Sequence, residues 1–565
     1  MKKLLKRLCP YAVLAFAVFA VFAGSASFSF IGLDDAGYTF RNPFVATGLT
    51  MANIAEAFSN FRHGGIWMPA TYVSYMADVD AAKFFGMPLS RWMHSANFSL
   101  HLINALLLLF LSHRLSMAFG GGARSAAPLA AVAFWALHPL RAEPVAWIAC
   151  RKEMLWTFFS LAGLISWARS FAPAARSLSA GPLRLTTLLL FAAACTSKPT
   201  AMCLPFLAGA IHFLLWKGAC GDTARFRATR QVLACYAVML AMAAGTAAAA
   251  AYSQTHVAGQ EAIALFAAPW HHRVVHALSA LGFYVRATLW PAGLHVDCRI
   301  VDGIVPLGGV ANLAALAGAV VVVAVVAVRL RVWRMSRATA VVWFSFAWFI
   351  VPLVPTLGLL GSFGIEAHAD RFTYLPAMSF AFFAALAPAS GIASRFAAQG
   401  RARTAAWMAV AVYAVLAVRQ TGFWRDDHTA HLRALDCDPS HPRAMVHVGD
   451  ALCAKGRFDK GIDHYRRSMA LRPREYVKYR LAYALASRGS WDDYQEVKRL
   501  GAPVAANPSL DSRGMMLDAL GTACMVDGDW ERAARFFEFS LAAPGRFWPK
   551  ASTKRKLEEC LERMK

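Results

Sequence analysis

Two adjacent carboxylates, Asp34-Asp35 in Ile31-Gly-Leu-Asp-Asp-Ala-Gly-Tyr38, follow an uncharged run of 22 residues from Pro10 to Ile31. A run of that length spans a bilayer as a helix, so the pair stands where the chain reaches water. A carboxylate held there can act as a general base on a reaction at the membrane surface. Charge at a helix exit is also ordinary, because solvent is at hand. Three further constellations carry complementary chemistry: Leu137-His-Pro-Leu-Arg-Ala-Glu-Pro-Val-Ala-Trp147 with Arg151-Lys152-Glu153, Ser197-Lys198-Pro199, and Ala367-His-Ala-Asp-Arg-Phe-Thr-Tyr-Leu-Pro376. Any one alone reads as an interfacial anchor whose charged end reaches water. Together they divide the work, with carboxylates to take a proton and fixed cations to meet a bulky anion. Arg and Lys at membrane depth are costly unless they face such a partner or water. A lipid phosphate entering sideways from the bilayer is an anion of this kind.

The elements that must position these residues are apolar runs. The 565-residue chain is 58% hydrophobic and 16% charged, with mean hydropathy +0.42, too apolar for a soluble globular protein. The net charge of +25, from 58 Lys and Arg against 33 Asp and Glu, falls largely in short gaps between apolar runs. That is the positive-inside pattern rather than a nucleic-acid footprint. Met-Lys-Lys-Leu-Leu-Lys-Arg at the start resembles a signal peptide, with Ala23-Gly-Ser-Ala26 as a small-residue cleavage site. An uncleaved anchor is the expectation, because cleavage would leave Asp34-Asp35 in a loose terminus. The 11 cysteines are scattered without a C-x-x-C, so neither a disulfide framework nor a cysteine metal site is indicated.

After the first span, residues 32–94 form a polar and aromatic outer loop expected to fold as short helices on the membrane surface. Further spans are expected at 96–117, 126–147, 154–170, 184–196, 200–216, 233–252, 309–328, 340–357, 372–390 and 404–420, eleven with the first. With the N-terminus cytoplasmic, alternation puts Arg124, Arg176, Lys217 to Arg230, Arg329 to Arg337 and Arg395 to Arg403 inside. The carboxylates Glu143, Glu153, Glu261, Asp297, Asp302, Glu366 and Asp370 then lie outside with Asp34 and Asp35. Residues 273–290 are apolar but carry Arg273, His276 and Arg286, which suits a horizontal or re-entrant helix. From Trp424 the chain turns soluble and repetitive. Gly449, Leu452, Gly461, Tyr465 and Pro473 match the spacing of a helix-turn-helix repeat of about 34 residues. Gly456-Arg-Phe, Gly489-Ser-Trp and Gly528-Asp-Trp recur at the inter-helix turn, giving about three repeats over 441–545. Such a stack presents a concave surface for a peptide or partner protein.

The ordered motifs, Asp-Asp-x-x-Tyr-x-x-x-Asn-Pro, His-Pro-Leu-x-x-Glu-x-Val-Ala-Trp-x-x-x-Arg-Lys-Glu, Lys-Pro and Ala-Asp-Arg-Phe-Thr-Tyr-x-Pro, lead through Phe423-Trp-Arg-Asp426 into the repeats. This order resembles the transmembrane and tetratricopeptide-repeat-containing protein O-mannosyltransferase-like family of the GT-C glycosyltransferase superfamily. The resemblance implies an all-α polytopic domain over 1–423 and a tetratricopeptide-repeat domain over 424–565. It implies a polyprenyl-phosphate-linked sugar donor, mannose-like, and an extracytoplasmic protein acceptor. Asp34 or Asp35 would be the catalytic base, with His138, Glu143, Arg151, Lys152, Lys198, Asp370, Arg371 and Tyr374 lining or supporting the donor site. The chain departs from the family pattern at Leu33, where a Trp precedes the acid pair, at Met68-Pro-Ala-Thr71, where a His opens the segment, and at Pro144, where a Ser follows the glutamate.

The expected reaction is an inverting transfer to a Ser or Thr hydroxyl, with no obligatory cofactor if fixed cations neutralise the departing phosphate. A divalent metal on the acidic pair stays open. The expected location is a bacterial inner membrane, with the repeats extracytoplasmic, membrane lipids as neighbours and no nucleic-acid partner. Two other classes fit the same residues: a non-catalytic scaffold that binds through its repeats, and a transporter of lipid-linked sugar that uses the same cationic cavity.

Overall fold

The computed structural model describes residues 2–61, 63–121, 126–171, 180–218, 229–257, 269–296, 313–314, 316–318, 320, 336–359, 368–392, 399–506, 514–543 and 550–565. Every regular element among them is helical, and the chain divides into two compact units, Met1–Asp426 and Asp427–Lys565.

In the first unit, helix α1 (Lys2–Phe22) buries Leu14, Val18 and Phe22 on one face while Phe16, 74% exposed, points outward. Spacing of four residues makes that stripe, and an apolar outer face suits lipid rather than water. Short helices then cross the outer loop: α2 (Asp35–Tyr38), α3 (Pro43–Ala46), α4 (Met51–Ser59) and α5 (Pro69–Phe84). Asn42 starts α3 by accepting from the N–H groups of Phe44 and Val45, and Thr50 caps α4 through Asn53. Proline opens both α3 and α5, where its missing N–H costs nothing.

The long helix α6 (Leu89–Ala118) carries Asn97, His101, Asn104 and Ser112 along its buried face. Asn97 and His101 face a broken stretch of chain: α7 (Ala127–Ala136), a turn at Pro139–Arg141, α8 (Ala142–Ala146) and a turn at Ile148–Cys150. Such a stretch leaves carbonyls that no helix satisfies, and hydrocarbon offers them no water. Asn97 donates to the carbonyl of Trp147 and the His101 ring lies 3.0 Å from that of Ala136, while Asn104 reaches the carbonyl of Met154 in the helix that follows the break. The polar stripe thus permits irregular backbone to sit deep in the bundle.

Helices α9 (Arg151–Arg169), α10 (Ala180–Ser197), α11 (Leu204–Gly218), α12 (Arg230–Val257), α13 (Trp270–Leu289), α14 (Arg337–Ile350), α15 (Met378–Leu386) and α16 (Gln399–Gly422) complete the unit. Among the described residues, seven stretches are long and apolar enough to cross a membrane: Leu8–Ser27, Leu89–Ala118, Ala180–Ser197, Pro199–Gly218, Arg230–Gln254, Arg337–Thr356 and Arg403–Gly422. These correspond to seven of the eleven expected spans. The expected span at 126–147 contains the ten-residue α7 and then breaks at His138-Pro139, while that at 372–390 contains the nine-residue α15. The expected span at 154–170 belongs to α9, which opens with Arg151, Lys152 and Glu153, all buried. Residues 309–328 lie almost wholly outside the described residues. Helix α13 is one unbroken helix packed through Phe283 and Ala287 against Leu140 and Leu353.

The second unit consists of α17 (Asp427–Cys437), α18 (Pro442–Ala454), α19 (Phe458–Leu471), α20 (Glu475–Arg488), α21 (Trp491–Ala506), α22 (Gly514–Val526), α23 (Trp530–Ala542) and α24 (Lys550–Arg563). The turns between α18 and α19, α20 and α21, and α22 and α23 place Gly456, Gly489 and Gly528 at φ of 72°, 83° and 79°. A side chain there would be strained, so the recurring glycine has a backbone reason. Tyr465 on α19 packs flat against Gly449 on α18, where a Cβ would meet its ring at 2.7 Å. Asp450 then accepts from the Tyr465 hydroxyl at 2.7 Å and from Arg480 on α20 at 2.9 Å, tying one helix pair to the next. Pro508 and Pro544, which by the same spacing close the later repeats as Pro473 closes the first, lie outside the described residues.

Candidate active site

Asp35 is fully buried. One carboxylate oxygen accepts from the N–H of Ile31 and the other from the N–H of Ala149, each at 2.8 Å. Two backbone donors from chain segments 114 residues apart in sequence, in the second case, make this side chain a pin between the outer loop and the broken stretch. Burial raises its carboxyl to about 7, and neighbouring Asp34 adds to the rise against the opposing pull of the two N–H groups and Lys152. Asp34 is the N-cap residue of α2, but its side chain makes no capping hydrogen bond and is half-buried. The sequence treats the two acids alike, whereas the fold commits one to backbone and leaves the other half-buried without a capping bond.

The cations are brought together but are not equivalent. Arg151 donates to Asp78 at 2.7 Å and to the carbonyl of Met93 at 2.9 Å, and its Nε bonds Asn97. Lys198 forms a buried ion pair with Glu153. Arg371 pairs with Glu143 through its guanidinium, and its backbone N–H donates to the same carboxylate at 2.8 Å. Its guanidinium lies 5.0 Å from the rings of both Trp147 and Phe372, and Trp147 stacks on Trp424 of the Phe423-Trp-Arg-Asp426 motif. Lys152 differs: it is 6% exposed, its Nζ lies 4.6 Å from the centre of the Tyr38 ring, and no carboxylate among the described residues pairs with it. Lys152 and Arg371 both act electrostatically on Lys198, and Lys152 acts on Asp35, so the three cations and the acid pair share one neighbourhood.

The remaining sequence candidates do other work. His138 accepts from the N–H of Leu140 and lies 3.0 Å from the carbonyl of Thr288, which makes it the cap of the Pro139–Arg141 turn. The Tyr374 hydroxyl is 2.8 Å from the His101 ring and accepts from Asn104 at 3.3 Å. Asp370 is buried, and burial with Glu143 close by pushes its carboxyl upward. Three site residues were not singled out in the sequence for this role. Asp78 holds Arg151, Arg141 clamps the carbonyls of Thr373 and Tyr374, and Asn97 bridges α6 to both Arg151 and Trp147. Asn97, His101 and Asn104 were a readable signal, since three polar residues at helical spacing in an apolar run must face partners.

The arrangement presents a half-buried carboxylate, Asp34, next in sequence to the buried Asp35, and a buried cation, Lys152, that lies over the Tyr38 ring and has no carboxylate partner among the described residues. A metal on the acid pair would find Asp34 uncommitted but Asp35 with both oxygens already accepting from backbone. No protein-family model matches the chain, and no curated protein matches it.

Proposed function

We propose that the chain is a membrane glycosyltransferase of the GT-C class that moves a mannose-like hexose from a polyprenyl phosphate to a Ser or Thr hydroxyl of an extracytoplasmic protein. In this reading Asp34 takes the acceptor proton as the hydroxyl attacks the anomeric carbon, and the bond to the lipid phosphate breaks on the opposite face with inversion. Lys152 meets the developing phosphate charge, while Lys198 and Arg371 add positive potential from behind their carboxylate partners. Asp35 holds the loop that carries Asp34. The observation that supports this most is the unequal pair: a half-buried carboxylate without a capping bond beside a fully buried one fixed by two backbone N–H groups, the buried one within electrostatic reach of a cation that has no carboxylate partner among the described residues. Arg151, assigned to the donor in the sequence reading, is bound by Asp78, Asn97 and Met93 and serves here to hold α9 in place. The helix pairs of the second unit are read as tetratricopeptide repeats that present the acceptor protein. The reading places the chain in a bacterial inner membrane with a cytoplasmic N-terminus.

The test is transfer by the purified full chain in detergent from polyprenyl-phosphate mannose to a Ser/Thr-containing acceptor protein. Asp34→Asn should lower turnover by roughly 10²- to 10⁴-fold, the range for losing a general base, with donor binding retained. If the wild-type chain binds the donor and transfers nothing to any secreted-protein fraction, the enzyme reading fails.

A further inference from the structure

The second unit contains a cluster that the transferase reading does not use. Asp427 and His431 stand four residues apart on α17, which puts both side chains on one helix face. His447 reaches them from α18. Asp427 Oδ1 lies 3.4 Å from His431 Nδ1, and Asp427 Oδ2 lies 3.4 Å from His447 Nδ1. One donor atom from each of the three residues falls within 4.8 Å of the other two. Ligands on a tetrahedral ion with bonds of about 2.0–2.1 Å stand about 3.3–3.4 Å apart, and the two histidines approach that distance from different oxygens of Asp427, so one small cation needs only a modest adjustment of the three side chains. His431 is wholly buried, His447 keeps 12% of its side chain exposed and Asp427 28%. The two imidazoles stack at 4.0 Å with planes 11° apart, a poor arrangement for two cationic rings and a tolerable one for two neutral rings. Two neutral imidazoles and one carboxylate are the donor set of a borderline divalent ion. His431 Nδ1 also lies 2.8 Å from the carbonyl of its own helix partner Asp427. Metal binding through Nδ1 replaces that hydrogen bond and turns the ring out of its stack.

We propose that Asp427, His431 and His447 bind a divalent transition-metal ion of the Zn²⁺ type, which clamps α17 to α18 at the start of the C-terminal unit. Both helices contribute ligands, so the ion adds to the stability of this helix pair when bound.

The test uses the full chain, without a histidine tag, stripped with chelator and dialysed against Zn²⁺. The wild type should retain one more equivalent of zinc per chain than His447→Ala or Asp427→Asn. Affinity should fall by more than about tenfold in either variant, a loss at least as large as that for outer-shell partners. Equal zinc content in wild type and both folded variants overturns the site. Should a variant aggregate, Co²⁺ added to the wild type decides the matter alone: ligand-field bands of a four- or five-coordinate nitrogen and oxygen site support the proposal, and a spectrum of hexaaqua Co²⁺ overturns it. An imidazolium–carboxylate cluster without metal affinity would give the second result in both assays.

Discussion

Asp35 accepts from buried backbone N–H groups with both carboxylate oxygens, so its chemistry is tied to folding, while the half-buried Asp34 makes no capping bond. This predicts a pH effect that belongs to Asp35. Burial raises its carboxyl from 3.8 to about 7 in the folded chain. Between those values the folded state holds a proton that the unfolded state has released, so stability falls as pH rises from about 4 to about 7. Melting curves across that window should slope downward for the wild type and flatten for Asp35→Asn, and equal slopes would show that Asp35 does not titrate in this range. Each residue type was visible in the sequence, but not the difference between them. An Asp-Asp dipeptide does not say which oxygen will find Ala149, more than a hundred positions away.

At the scale of elements, the broken stretch from His138 to Cys150 is held by charges from elsewhere in the chain. Glu143 is paired with Arg371, Glu153 with Lys198, and Asp78 with Arg151. Removing one member of such a pair leaves an uncompensated buried charge, at a cost of about 3–5 kcal/mol, while replacing both by apolar groups is often neutral or stabilising. Glu143→Gln should therefore lower the melting temperature more than Glu143→Leu with Arg371→Met, and additive losses in this double-mutant cycle would mean that the pair is not coupled. The helix pairs of the second unit make a second prediction. Gly449→Ala sets a methyl group against the Tyr465 ring at 2.7 Å, and overpacking of this kind costs about 1–3 kcal/mol. A chemical denaturation midpoint for the second unit's transition should drop accordingly, and an unchanged midpoint would show that the ring moves freely aside. The glycine was legible from the repeat spacing, because a close helix approach needs a small residue at a set interval. The Asp450–Arg480 link between pairs was not, because it depends on how one pair stacks on the next.

For the whole molecule, the proposed orientation requires the C-terminus to lie outside the cytoplasm. An alkaline phosphatase fused after Lys565 should be active in a bacterial host and a green fluorescent protein fused there should be dark, with the reverse pattern overturning the orientation. The sequence by itself determined that the chain is helical and apolar enough to cross a membrane, and where the composition turns soluble. Those properties are sums over neighbouring residues: hydropathy over a span of about 20, helical spacing of polar and apolar positions, glycine at each turn. It did not determine how many apolar runs become long helices, since His138-Pro139 breaks one run and Asn97 and His101 on the polar face of α6 meet carbonyls on either side of the break. Which charges neutralise each other follows from the packing of the helices. Arg371 meets Glu143 across 228 positions, Arg151 meets Asp78 across 73, and Lys152 meets the face of Tyr38. An ion pair is set by distance in space, and beyond one helix face the spacing of residues along the chain carries no information about that distance.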